Sequence, residues 1–200
     1  MENLKNKIVF ITGASSGFGT AIAKLFAEQG AKLIIAARRT ERLNGLKNDL
    51  EKNFKGKILA ITLDVKNQKQ VEEKISSLPD EWKAIDILVN NAGLSRGLDK
   101  IYEGKIADWE EMIDTNVKGL LYVTRVILPE MVKRNFGHII NIGSTAGHEM
   151  YPSGNVYAAT KHAVFALSKG MKMDLLGTKI RVSSVDPGMA ETEFSEVRFR

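Results

Sequence analysis

Thr12-Gly13-Ala14-Ser15-Ser16-Gly17-Phe18-Gly19 follows directly on the apolar run Lys7-Ile8-Val9-Phe10-Ile11. A short β-rich run, three glycines and then a helical pattern predict strand, tight turn and helix. Such a turn suits an anion. Glycines remove side chains so that backbone N–H groups can approach a pyrophosphate, and the helix behind presents the positive end of its dipole. Glycines are common in any turn, but the spacing Gly-x-x-x-Gly-x-Gly falls here between a predicted strand and a predicted helix, the context a dinucleotide fingerprint requires.

Beyond the turn, Ile22, Leu25, Phe26 and Gln29 follow a helical spacing, and Gly30 supplies the stop. Residues 32–37 read as a second strand, apolar on both faces as a covered parallel sheet demands. Thr40 is placed to cap a helix whose stripe is Leu43, Leu46, Leu50 and Phe54, and Gly45 weakens that helix by roughly 1 kcal/mol relative to alanine. A third strand, 57–63, ends at Asp64. Asn67 opens a helix carrying Val71, Ile75 and Leu78, which Pro79 closes. A fourth strand, 85–89, runs into Asn90-Asn91-Ala92-Gly93, followed by a polar loop over 94–104.

A long helical pattern then runs from Trp109 through Met112, Asn116, Leu120, Val123 and Ile127 to Met131, with a kink expected at Pro129. Strand five, 138–142, enters Gly143-Ser144; a helix over 155–176 stops at Gly177; strand six, 180–185, precedes Pro187-Gly188. This alternation predicts an α/β protein: one domain spanning 1–200, with a doubly wound parallel sheet of the Rossmann type in three layers. Ligands of such sheets sit beyond the carboxyl ends of the strands. Residues 12–19, Arg38, Asp64, Asn90, Ser144 and Asp186 all follow strand ends.

The bulk numbers exclude several function classes. At 44% hydrophobic and 26% charged residues the chain has the composition of a soluble globule. Its net charge of +5 is scattered, with Arg38-Arg39 and Lys133-Arg134 the only basic doublets, so no nucleic-acid partner is expected. The absence of cysteine removes disulfides, thiolate metal sites and thiol nucleophiles. Three histidines without metal-binding spacing predict no catalytic metal. No apolar run approaches the length of a membrane span, so a soluble cytoplasmic protein is expected.

Charge also bears on the cofactor. A dinucleotide fold selecting NAD places a carboxylate about twenty residues past the glycines, on the ribose 2′-hydroxyl. That place is Ala36-Ala37-Arg38-Arg39-Thr40, and no acid occurs between Gln29 and Glu41. Guanidinium groups pair well with a 2′-phosphate, so the expectation is NADP, held chiefly through Arg38. Two solvated arginines at a helix entry are the plainer alternative.

Tyr157 and Lys161 are four apart on a predicted helix and share one face. A surface pair would look the same. A lysine ammonium about 4 Å from a phenol, however, contributes roughly 4 kcal/mol at an effective dielectric of 20, enough to bring phenol ionisation toward neutrality. Ser144, thirteen residues earlier, either caps a turn or hydrogen-bonds a substrate oxygen beside that phenol.

Taken together, Thr12-Gly13-x3-Gly17-x-Gly19, Asp64, Asn90-Asn91-Ala92-Gly93, Asn116, Ser144, Tyr157-x3-Lys161 and Pro187-Gly188 with Thr192 resemble the short-chain dehydrogenase/reductase family over nearly the whole chain. The resemblance implies a catalytic set of Asn116, Ser144, Tyr157 and Lys161, with Asn116 helping to hold a water that connects to the lysine. It implies cofactor contacts at Gly13, Ser15, Ser16, Gly17, Phe18, Gly19, Arg38 and Arg39. Further contacts are implied at Asp64 and Val65 beside the adenine, and at Asn91, Ala92, Gly93, Tyr157, Lys161, Pro187, Gly188 and Thr192. Within the family the chain looks most like NADP-dependent dehydrogenases of 3-hydroxy acids, including those acting on serine and allo-threonine.

The implied chemistry is hydride transfer between NADP and the alcohol or ketone carbon of a small substrate, with Tyr157 passing the proton. A 3-ketoacyl reductase acting on a carrier-bound thioester shares the same residues, and a non-catalytic NADP-binding regulatory module keeps the same fold. Family members continue past the position of Arg200 through another helix and a seventh strand that help build a tetramer. A homo-oligomer is therefore expected, with the C-terminal part of the fold missing from this sequence. For an acidic substrate Arg96, Arg198 and Arg200 are the candidate carboxylate partners.

Overall fold

Every residue of β1 (Ile8–Thr12) is buried, and its side chains alternate between two separate cores. Ile8 and Phe10 join one, Val9 and Ile11 the other. A strand covered on both faces needs helices on both sides, and the computed structural model, which describes residues 4–190, has them there. With β2 (Lys32–Ala37), β3 (Ile58–Thr62), β4 (Ile87–Asn90), β5 (Gly137–Ile142) and β6 (Ile180–Val185), β1 forms a six-stranded parallel sheet in the order 3-2-1-4-5-6. The chain reverses its direction across the sheet between β1 and β4, the switch point at which such sheets open a crevice.

The helices are α1 (Gly17–Glu28), α2 (Thr40–Asn53), α3 (Gln68–Ser76), the single turn α4 (Asp80–Lys83), α5 (Ile106–Ile113), α6 (Leu120–Arg134) and α7 (Asn155–Asp174). Ala23, Ala27, Leu43, Leu46 and Leu50 bring α1 and α2 onto the Val9 and Ile11 face. Val71, Ile75, Val123, Ile127 and Met131 bring α3 and α6 onto the other. Each such large aliphatic side chain contributes roughly 1.5–3 kcal/mol on burial.

Several expectations shift in detail. The buried face of α1 is Gly19, Ala23 and Ala27, while Leu25 is 63% exposed. Small residues win there because the helix lies close to the glycine turn: a Cβ on Gly19 would overlap the Gly13 carbonyl. Thr40 is the first residue of α2 rather than its cap; Arg39 holds the cap position, and the Thr40 hydroxyl shares a 2.8 Å hydrogen bond with that of Thr62. Asn67 does cap α3, its side-chain oxygen accepting from the Gln70 N–H at 3.0 Å. The long helical pattern is α5, a π-helical segment (Asp114–Gly119) and α6 in unbroken succession. Its irregularity thus falls at Asp114–Gly119, and α6 runs on past Pro129 to Arg134.

A buried polar chain ties the sheet to the helices below the strand ends. Asn90 Nδ2 donates to Thr124 Oγ1 at 3.0 Å and to Asn141 Oδ1 at 2.9 Å, and Asn141 Nδ2 donates to Ser168 Oγ at 2.9 Å. These bonds join β4, β5, α6 and α7. Among the described residues no helix is long and apolar enough to cross a membrane.

Gly45 lies inside α2 with nothing within 4 Å of the place a Cβ would occupy. Gly45→Ala is therefore expected to stabilise the protein by about 0.5–1 kcal/mol, visible in a thermal melt as a rise of roughly 2–4 °C per kcal/mol.

Candidate active site

Gly13 and Gly17 take positive φ values of +65° and +53°, backbone that L side chains rarely adopt. Gly13 is also pressed against the next strand end, since a Cβ there would lie 2.8 Å from the Ala92 Cα. Side chains staple the two loops together. Thr12 Oγ1 accepts from the N–H groups of Asn91 and Ala92, each at 3.0 Å. Asn91 Nδ2 donates to the carbonyls of Thr12 at 2.8 Å and Gly13 at 3.1 Å. The glycine turn is thereby held rigid at the start of α1.

The two arginines after β2 part company. Arg39 lies over the glycine turn, its Nη2 donating to Ser16 Oγ at 2.7 Å and to Ser15 Oγ at 3.2 Å. Arg38 turns instead to Glu111, with Nη1 and Oε1 3.5 Å apart. The Glu111 carboxylate also accepts from Arg96 Nε at 2.8 Å and faces Lys66 Nζ at 3.6 Å. The Arg96 hydrogen bond, with the charges of Arg96, Lys66 and Arg38, holds the Glu111 carboxyl below its ordinary value against the opposing effect of its partial burial. Arg96 lines the cleft but is anchored through Nε to this acid. Arg198 and Arg200 lie outside the described residues.

At the other end the π-helical segment turns Asn116 inward, where it is 2% exposed. Widened turns of this kind recur at functional sites. Asn116 Oδ1 accepts from the Leu94 N–H and its Nδ2 donates to the Leu94 carbonyl, both at 2.8 Å; Nδ2 also donates to Thr160 Oγ1 at 3.0 Å. Tyr157, Thr160 and Lys161 share the buried face of α7. Lys161 Nζ donates to the Ile142 carbonyl at 2.9 Å and lies 5.8 Å from the centroid of the Tyr157 ring. Gly93 leaves room for both groups: a Cβ there would be 3.3 Å from Asn116 Oδ1 and 3.6 Å from Lys161 Nζ. Burial lowers the Lys161 pKa to about 8, with the Asp186 charge acting in the opposite direction. Ser144 caps the short 3-10 turn Thr145–Gly147, its Oγ accepting from the Ala146 N–H at 3.2 Å, and it faces the cleft as well.

These pieces line one cleft of about 720 Å³. It runs from the glycine turn, Arg38, Arg39, Asp64 and Val65, past residues 91–93, to Ser144, Tyr157, Lys161, Pro187 and Gly188. Of the expected residues, Gly19 packs behind the turn, Asn116 sits behind the cleft wall, and Thr192 lies outside the described residues. Leu94, Ser95, Thr115, Met150 and Tyr151 also line the cleft without having been expected. Met150-Tyr151, a pair of large side chains in the loop just before α7, was the sequence signal for this part of the cleft wall.

A 3-2-1-4-5-6 parallel sheet with a rigid glycine turn at its switch point defines the dinucleotide-binding class of α/β protein. More narrowly, the chain belongs to the short chain dehydrogenase family, whose profile matches residues 7–200. It is 53% identical over 194 residues to the NADP-dependent 3-hydroxy acid dehydrogenase YdfG of Salmonella typhi, covering 96% of this chain and 77% of that one. Over 200 residues it is 43% identical to the NADP-dependent 3-hydroxy acid dehydrogenase of Schizosaccharomyces pombe, covering all of this chain and 77% of the relative. The closed form of serine dehydrogenase complexed with NADP+ superposes with a TM-score of 0.91 at 52% identity, covering 96% of this chain and 76% of that structure.

The depressed Lys161 pKa has a consequence for stability. Because the folded value is about 8 against 10.5 for an ordinary lysine, the unfolded chain binds more protons between those pH values, and stability rises with pH across that window. Lys161→Met, which fills similar space without charge, is expected to be more stable than wild type at pH 7, by up to roughly 3 kcal/mol. The advantage should shrink as pH climbs from about 8 to 10.5, as followed by urea unfolding at both ends of the range.

Proposed function

We propose that this protein is an NADP-dependent dehydrogenase of small 3-hydroxy acids, with serine or allo-threonine as its substrates. The observation that carries the reading is the meeting of Ser144, Tyr157 and Lys161 at one end of the cleft whose other end holds the glycine turn and Arg39. The similarity to 3-hydroxy acid dehydrogenases supports the substrate class.

The residues present fit NADP. Gly13, packed too closely against Ala92 to carry a Cβ, lets the turn line the cleft with Ser15, Ser16 and Gly17, and the hydroxyls of Ser15 and Ser16 with the Arg39 guanidinium form a polar, cationic rim there. The residues that directly follow β2 are Arg38, Arg39 and Thr40, with no acid of their own to claim a ribose 2′-hydroxyl. Arg39 and Arg38 supply the positive charge for a 2′-phosphate, with Arg39 already at the turn and Arg38 reached by exchange from Glu111. Asp64, Val65 and residues 91–93 line the same cleft; Asp64 and Val65 would contact the adenine of a bound cofactor, and residues 91–93 its ribose.

When bound, NADP supplies a nicotinamide ring that takes or gives the hydride. The chain's own task is the proton. Ser144 Oγ holds the substrate oxygen by a hydrogen bond and fixes it beside the Tyr157 hydroxyl. In the oxidising direction the Tyr157 oxygen takes the hydroxyl proton as carbon loses hydride; in reduction it returns that proton. Lys161, anchored on the Ile142 carbonyl, favours the ionised phenol by charge and would hydrogen-bond the ribose hydroxyls of a bound cofactor. Asn116 keeps the Leu94 backbone and Thr160 in place behind the lysine. Self-association into the tetramer usual in the family belongs to the same proposal.

Tyr157→Phe removes the proton carrier and leaves the cofactor wall intact. Turnover should fall by at least about a hundredfold, within the range general acid–base groups supply, while NADPH binding measured by fluorescence stays near wild type. A variant with near-normal kcat would overturn the scheme. Nicotinamide reduction across serine, allo-threonine and other hydroxy acids, with NAD and NADP side by side, tests the substrate and cofactor. Activity confined to carrier-bound 3-hydroxyacyl thioesters, or equal use of NAD and NADP, would contradict the reading. Arg39→Ala should raise KM for NADP about tenfold or more, with KM for NAD little changed.

A further inference from the structure

We propose that Asp186 is a positioning residue of the proton-transfer site, the fixed counter-charge behind the Lys161 ammonium. The inference rests on the reading of Tyr157 and Lys161 as the proton-transfer pair.

Asp186 follows β6, in the loop that enters Pro187-Gly188, and its side chain is only 23% exposed. Its carboxylate is fixed from several sides. Oδ1 accepts from Ser184 Oγ at 2.8 Å, and Oδ2 faces His148 Nε2 at 3.2 Å. The His148 ring is itself held edge-on to Phe165, with centroids 4.4 Å apart. The backbone around Asp186 is pinned on both sides, because the Gly143 N–H donates to the Val185 carbonyl at 2.8 Å and the Thr145 N–H to the Pro187 carbonyl at 3.0 Å. An acid in an ordinary loop would extend into water; this one is folded back onto the end of β5.

What admits it there is Gly143. A Cβ on Gly143 would overlap Asp186 Oδ1, so the missing side chain is the space the carboxylate fills. Gly143 directly follows Ile142, whose carbonyl receives Lys161 Nζ at 2.9 Å. Carboxylate and ammonium therefore pack on adjacent residues of one strand end. Among the described residues, the titratable groups packed around this pair include Tyr157 on α7, with its ring centroid 5.8 Å from Lys161 Nζ, and His148 after the 3-10 turn, 3.2 Å from Asp186 Oδ2, with Glu149 and Tyr151 on the cleft wall. Desolvation works against a charged lysine at this depth, and the Asp186 charge works for it.

A negative charge beside a proton-transfer pair holds the pair's protons more tightly, and its removal lets the first proton leave at lower pH. Asp186→Asn keeps the shape and an acceptor for Ser184 while deleting the charge. The acid limb of the pH profile of kcat/KM for NADP-linked hydroxy acid oxidation is expected to move to lower pH by about half to one unit, with NADPH affinity unchanged. Ser184→Ala, which releases the carboxylate toward water, should move the limb in the same direction by less, and it decides the matter if Asp186→Asn does not fold. A limb that stays in place in the folded variants, with only the height of the profile altered, makes Asp186 purely structural and overturns the proposal. Lys161→Met, assayed alongside, separates the two levels. If it keeps full activity and an unmoved profile, the reading of the proton-transfer pair itself fails.

Discussion

The hydrogen bond from Lys161 Nζ to the Ile142 carbonyl is the constraint around which the site is built. A lysine that is 6% exposed loses most of its hydration, and a buried charge costs free energy unless partners replace the water. Here the replacement is one backbone carbonyl and a nearby acid, with the glycine at position 93 keeping side-chain bulk away from the amine. The arrangement favours chemistry over stability. A lysine whose pKa lies at about 8 is still mainly charged at neutral pH, and that charge sits on the same helical face as the Tyr157 phenol.

Residues 91–94 connect the two ends of the cleft. Asn91 is bonded to the glycine turn through Thr12 and Gly13. Gly93 lies against Asn116 and Lys161, and Leu94 is clamped at both its N–H and its carbonyl by Asn116. Four consecutive residues thus tie the glycine turn to the helix that carries Tyr157 and Lys161. The π-helical segment has its reason here: an ordinary α-helical turn passes Asn116 along a regular stripe, whereas the widened turn delivers it to Leu94. Beside the loops after β2, β3 and β4, Glu111 draws Arg38, Lys66 and Arg96 onto one carboxylate.

Strand 32–37 was legible because a parallel sheet buries both faces, so it appears as an apolar run of strand length with the predicted bounds; β6, last in the strand order, also has its predicted bounds, 180–185, although it mixes Arg181, Ser183 and Ser184 with its apolar residues. Strand order was not legible, since alternation says that strands are parallel but not which ones meet. On α1 the helical spacing found Ile22 and Phe26, which pack against the core, but it also took in the exposed Leu25 and passed over Ala23 and Ala27, which closeness to the glycine turn selects. The apolar spacing from Trp109 to Met131 passes straight through the π segment, so no periodicity could reveal it. For Arg38 and Arg39 the sequence carries the charge but not its direction, which depends on Glu111 more than seventy residues away. Asp186 was visible as a strand-end acid, but its place depends on an absent side chain at Gly143, contributed by a different strand.

The central claim is that Lys161 is a buried, readily titrated ammonium rather than an ordinary surface lysine. NMR titration of protein labelled with 13Cε-lysine tests it most directly, with the Lys161 resonance assigned by its disappearance in Lys161→Met. The account predicts one resonance titrating near pH 8 while ordinary lysines move around 10.5. A Lys161 resonance that moves with the surface lysines would contradict it.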